Sequence, residues 1–224
     1  MDLFIFSEIL SRDWPILCLS LTFTVVGSFC IDLLYPEAKR RGSLSFPEQL
    51  YERARFRKPF LFLSLLLSFH KAWNQLSGPE LCYILIAIAF LLCFTITDYE
   101  QHVILNEMLL SFAVIGLCYT LQLNLTVSDH VLASLGGGLL FLLLAVIGKG
   151  AIGGGDIKLI AALGLWLGIK PLASIIIYGS IAGGIVALFL LLTHKIGRKQ
   201  YLAYGPYFAL SGIAIFLKWL RVLF

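Results

Sequence analysis

Two aspartates carry the chemistry this sequence suggests: Asp98, which follows the apolar run 79–97, and Asp156, which closes Gly153-Gly154-Gly155-Asp156. A carboxylate at the centre of a membrane helix costs about 2.5 to 3.5 kcal/mol on insertion scales and less at the edge, so acids bordering apolar runs are functional candidates. Two carboxyl groups within hydrogen-bonding reach share a proton and titrate as a coupled pair. One then takes a proton from a water attacking a peptide carbonyl while the other protonates the carbonyl oxygen, and the roles reverse as the tetrahedral intermediate collapses. The three glycines free the backbone to approach a bound peptide closely, so an extended stretch of substrate could pair with it. Irregular backbone of this kind is tolerated at membrane depth where it lines a water-accessible cavity, and hydrolysis requires such a cavity.

Other chemistries are poorly supported. Ser111, Ser134, Ser174 and Ser180 lack a G-x-S-x-G elbow, and no HExxH motif occurs. His70, His102, His130 and His194 sit at span ends without ligand spacing. Cys18, Cys30, Cys82, Cys93 and Cys118 lie in or beside apolar runs with no CxxC among them, and read as small buried hydrophobes. No metal and no cofactor is expected. Asp32, Glu107 and Asp129 also border spans, but each is flanked by ordinary apolar sequence and reads as a helix-end charge. The rival use of Asp98 and Asp156 is cation or proton binding in a small transporter or assembly protein, which also places carboxylates near a membrane cavity. That reading predicts internal repeat symmetry, whereas no second Gly-Gly-Gly-Asp occurs.

The elements that must bring these residues together are membrane spans. Of 224 residues 59% are hydrophobic and only 13% charged, which excludes a soluble fold and makes the lipid bilayer the chain's environment. The formal charge is +4, but the positive residues fall in the gaps between apolar runs, so they read as topology signals and no nucleic-acid partner is expected. The pattern predicts an all-α polytopic transmembrane helical bundle, one membrane-embedded domain over 1–224. About eight segments are expected, near 14–34, 60–77, 79–97, 104–123, 130–148, 157–168, 171–193 and 205–220. The N-terminal stretch lacks a basic n-region and a cleavage site, so the first span is expected to be retained.

The linker 35–59 holds Lys39, Arg40, Arg41, Arg53, Arg55, Arg57 and Lys58, and is expected on the cytoplasmic side with a helical turn or two on the membrane surface. Segment 60–77 is the least apolar. Counting it places Asp98, the glycine run and the basic hinge 194–199 together on the cytoplasmic side, whereas dropping it moves all three outside, against the positive-inside rule. Gly136-Gly137-Gly138 and Gly183-Gly184 lie within spans and predict close helix approach.

Asp98 with Asn106 eight positions on, the run Gly153 to Leu159 with its extension Ala161-Ala162-Leu163-Gly164, and Tyr204-Gly205-Pro206-Tyr207 together resemble the type IV prepilin leader peptidases over residues 79–220. The resemblance implies that Asp98 and Asp156 are a catalytic aspartyl pair, supported by Gly153, Gly154, Gly155, Lys158, Asn106, Gly205 and Pro206. It also implies cleavage at the cytoplasmic face of a bacterial inner membrane, after a glycine in the short basic leader of prepilins and of type II secretion pseudopilins. Lys158 either holds the charge of the pair or anchors its span, and Glu100 is expected to draw basic leader residues to the rim.

The chain also departs from the family pattern. Leu105 stands where members often have proline. Gly27-Ser28-Phe29 matches the start of the family's N-terminal motif but is followed by a diverging sequence, and the linker lacks the paired CxxC zinc module of longer members. Peptidase activity without methyl transfer from S-adenosylmethionine is therefore expected. The related presenilin-like proteases would place Pro-Ala-Leu near the last spans, and this chain does not.

Overall fold

In the computed structural model, which describes residues 2–149, 152–193 and 204–218 and the side chains from Trp14 onward, nine α-helices and no strand occur among the described residues. They are α1 (Asp2–Arg40), α2 (Leu50–Arg53), α3 (Arg57–Gln75), α4 (Gly78–Gln101), α5 (Asn106–Gln122), α6 (Val127–Ile147), α7 (Gly154–Leu167), α8 (Ile169–Leu192) and α9 (Gly205–Phe216). The eight longer ones correspond to the eight segments expected from hydropathy. Four are long and apolar enough to cross a membrane by length and composition: Trp14–Arg40, Gly78–Gln101, Val127–Ile147 and Ile169–Leu192. The basic hinge 194–199 lies outside the described residues.

The expected linker 35–59 is shorter in the structure. Helix α1 continues past Pro36 to Arg40 and α3 begins at Arg57, leaving 41–56, which contains α2 and a 3-10 turn at Ala54–Phe56. Helix α4 likewise runs beyond Thr97, so Asp98 is helical and only 5% exposed rather than lying past the span's end. The left-handed residue His102 (φ 50°) then stops the helix, its N–H donating to the Asp98 carbonyl.

The core is apolar as in a soluble protein, and the outer surface is apolar too. Large side chains such as Leu139 and Leu143 of α6 and Ile185, Leu188 and Phe189 of α8 point outward, as lipid-facing surfaces must when the solvent is hydrocarbon. Helix α4 is the central element and packs on α1, α3, α5 and α9, while α7 is held between α5 and α6. An aromatic cluster locks this arrangement. The Trp166 ring stacks on Phe112 at 5.2 Å and Tyr119 at 5.3 Å, and its indole N–H donates to the Phe112 carbonyl at 2.8 Å.

Small residues set the tightest approaches. A Cβ on Gly164 of α7 would lie 2.5 Å from the Ser134 backbone nitrogen, and one on Gly137 of α6 would lie 2.8 Å from Leu172 Cδ2. Lipid supplies no hydrophobic drive between helices, so backbone contact of this kind is what holds them.

Candidate active site

Asp98 lies in the last turn of α4 and Asp156 in the first turn of α7, 58 residues apart in sequence. Asp156 is the third residue of its helix. Its carboxylate turns back toward Gly153, the residue that precedes the helix, whose Cβ position lies 3.5 Å from Asp156 Oδ2. An acid in the first turn suits the helix dipole, so Gly153-Gly154-Gly155-Asp156 is a helix start as well as a candidate site. Gly155 packs on the α4–α5 connection, where its Cβ would lie 3.3 Å from Ile104 Cβ. Among the described residues no atom lies within 4 Å of the Cβ position of Gly154.

The third component is the start of α9. A Cβ placed on Gly205 would lie 2.9 Å from Asp98 Oδ2 and 3.2 Å from Asp156 Oδ1. Both distances are measured from one point, so the two oxygens are separated by no more than their total, close to the ~6 Å within which ionisable groups act on one another. Pro206, in the first turn of α9, costs no helical hydrogen bond there because that N–H has no intrahelical acceptor. Three helix ends thus meet: the C-terminus of α4 and the N-termini of α7 and α9. Asp98 and Asp156 are 5% and 8% exposed, and Asp98 Oδ2 is buried without a hydrogen-bond partner among the described residues.

The other expected site residues divide. Lys158 Nζ donates to Asn106 Oδ1 at 2.9 Å on an exposed face, joining the starts of α7 and α5. That contact ties two helices and involves neither carboxylate. Glu100 corrects the expectation of a rim acid that draws basic peptide. It is 1% exposed, and both its carboxylate oxygens are taken: Oε1 by Arg57 Nε at 2.9 Å, and Oε2 by Arg57 Nη2 at 2.8 Å and the Tyr35 hydroxyl at 2.7 Å. Asp32, read as a helix-end charge, accepts from Arg57 Nη1. The hydropathy pattern hid this cluster because Arg57 and Glu100 look like solvated ends of spans until α1, α3 and α4 are packed together. Among the described residues no group of three or more His, Cys, Asp or Glu side chains could hold a metal ion.

Comparison with known proteins bears on these same elements. Residues 85–188, which run from within α4 to within α8 and include both aspartates, match the model of the type IV leader peptidase family. The chain is similar to the prepilin leader peptidase/N-methyltransferases of Pectobacterium carotovorum subsp. carotovorum (33% identity, covering 62% of this chain and 52% of the relative) and Neisseria gonorrhoeae (34%, 65% and 49%). The Legionella pneumophila protein of the same name is 32% identical, over 70% of this chain and 57% of that one. The chain thus spans about half the length of the curated relatives it matches. No solved structure matches it. The stretch that positions Asp98 and Asp156 belongs to the type IV leader peptidase family.

Proposed function

We propose that the protein is a membrane aspartyl endopeptidase that removes the basic leader from type IV prepilins or type II secretion pseudopilins. Asp98 and Asp156 are its catalytic pair, on the cytoplasmic side of a bacterial inner membrane. The observation that carries this reading is the convergence of the two buried carboxyl groups on one point beside Gly205. On this reading the two carboxyls share one proton, which provides an acid and a base in a single site. The ionised carboxyl removes a proton from water as the water oxygen bonds to the scissile carbonyl carbon. The protonated one delivers its proton to the carbonyl oxygen. The tetrahedral intermediate then collapses, the C–N bond breaks, and the amine leaves with a proton returned from the pair. Asp98 Oδ2, buried and without a partner among the described residues, is placed to bond to the water or the carbonyl.

The cytoplasmic orientation rests on the basic residues of 35–59 and on their lying at the same end of α3 as Asp98 lies of α4 through the Arg57–Glu100 pair. Because the sequence after Gly27-Ser28-Phe29 departs from the family's N-terminal motif, the proposal is confined to peptide hydrolysis.

The test is cleavage of a prepilin by membranes containing wild type, Asp98→Asn or Asp156→Asn at matched expression. A fall of at least 10²-fold in both variants is expected, since a positioned acid or base contributes on the order of 10²–10⁴ in rate. Cleavage that survives either substitution, or its absence from wild type with several prepilins, would discard the protease reading. The cation-binding alternative would then come forward.

A further inference from the structure

We infer that Arg57, Glu100 and Gln101 are positioning residues for Asp98, and that the connection 41–56 acts as a brace that aims its carboxyl group. The inference rests on the proposed role of Asp98. Asp98 Oδ2 has no hydrogen-bond partner among the described residues, so its place is inherited from the backbone of the turn that carries it. That turn is the last of α4, where the final carbonyls have no intrahelical donors.

The connection supplies them. Arg53 Nη1 donates to the carbonyls of Glu100 at 3.0 Å and Tyr99 at 3.3 Å, and the Ser45 N–H donates to the carbonyl of Gln101 at 3.2 Å. The Gln101 side chain, fully buried, reads the backbone of Phe46 in both directions: Phe46 N–H to Oε1 at 3.0 Å, and Nε2 to the Phe46 carbonyl at 3.1 Å. The Phe46 ring lies 3.8 Å beneath the Arg53 guanidinium and meets His102 edge-on at 5.3 Å. On the other side of the turn, the two-pronged Arg57–Glu100 pair and the Tyr35 hydroxyl fix residue 100 against α1 and α3.

A buried ion pair is a weak source of net stability, because desolvating both charges offsets their attraction, whereas it fixes geometry well. Here the three consecutive residues that follow Asp98, Tyr99 to Gln101, are tied to the connection or to helices outside the region 85–188. Catalytic geometry is sensitive to such support: a displacement of about 1 Å costs on the order of 10² in rate.

Two variants test the brace. Arg57→Lys keeps a charge but cannot make the two-pronged contact, and Gln101→Met keeps the volume while removing both bonds to Phe46. Each is expected to lower kcat for prepilin cleavage about tenfold or more with KM within twofold of wild type, while the chain stays folded and membrane-inserted. A second readout needs no activity. With the five native cysteines replaced by alanine, Asp98→Cys and Asp156→Cys together should cross-link on oxidation, and adding Arg57→Lys or Gln101→Met should slow the cross-link severalfold.

Unchanged kcat and unchanged cross-linking in both variants would overturn the brace, as would failure of the cysteine pair to cross-link with the brace intact. Loss of activity only through loss of folded protein would also overturn it. A wild type that cleaves no prepilin, yet cross-links faster with the brace than without, would reject the peptidase reading and leave the positioning one standing.

Discussion

Replacing Gly205 by alanine adds a single methyl group at the point where the two carboxyls meet. Gly205 is helical and not at positive φ, so alanine is conformationally acceptable and improves helix propensity by up to about 1 kcal/mol. The added carbon would lie 2.9 Å from Asp98 Oδ2 and 3.2 Å from both Asp98 Cγ and Asp156 Oδ1. Relaxed contact needs roughly 3.5 to 4.0 Å, so the carboxyls must move apart by about half an ångström or more. With about 10²-fold lost per ångström of misplacement, kcat is expected to fall between ten- and a hundredfold, about 1.4 to 2.7 kcal/mol of barrier.

Overpacking costs about 1 to 3 kcal/mol and the propensity gain offsets part of it, so the change in folding stability stays near 2 kcal/mol or less. The assay is prepilin cleavage by purified protein alongside thermal unfolding in the same detergent. Gly184→Ala is the control, since among the described residues no atom lies within 4 Å of its Cβ position. Gly205→Ala cleaving within twofold of wild type would refute the placement of the carboxyls around this residue.

Other outcomes follow from neighbouring contacts. Gly164→Ala should destabilise by about 3 kcal/mol or more, because its Cβ would meet the Ser134 nitrogen at 2.5 Å and the Ala133 carbonyl carbon at 2.7 Å, and backbone cannot rotate away; thermal unfolding measures this. Lys158→Met removes an exposed bond to Asn106 and should cost under about 1 kcal/mol while leaving the pH–rate profile of cleavage in place; a displaced profile would show that Lys158 acts on the pair. His102, though exposed at the surface, is held below the usual histidine range by partial desolvation of its ring and by the nearby Arg53 guanidinium. The unfolded chain therefore binds a proton there more readily than the folded one, so stability falls as pH drops through about 6.5. His102→Asn, which tolerates the left-handed backbone, should flatten that part of a Tm-against-pH curve.

Much of this protein was legible in one dimension because lipid reads a sequence locally. Each span must satisfy its own backbone and expose apolar side chains, so hydropathy, with the positive-inside rule deciding for 60–77, located the eight longer helices, and their misplacements were at the ends. Helices α1 and α4 run past the last apolar residue because hydrogen bonding continues where lipid contact stops. Asp98 and the Gly-Gly-Gly-Asp turn stood out for the same reason, a charge and three glycines being costly where nothing local explains them.

What sequence position could not determine was any property that depends on distance across the bundle. Arg57 and Glu100 are 43 residues apart and look like solvated charges; packing α1, α3 and α4 turns them into a buried pair and removes Glu100 from the rim. Gly205 stood in the sequence only as a supporting residue implied by the family resemblance; its place between the carboxyls emerges when α4, α7 and α9 converge and two carboxyl groups occupy the space for its missing side chain. The sequence by itself determined which residues are out of place in a membrane. Only the tertiary structure decided which of them meet, because burial and pairing of charges belong to the assembled helices and not to any one of them.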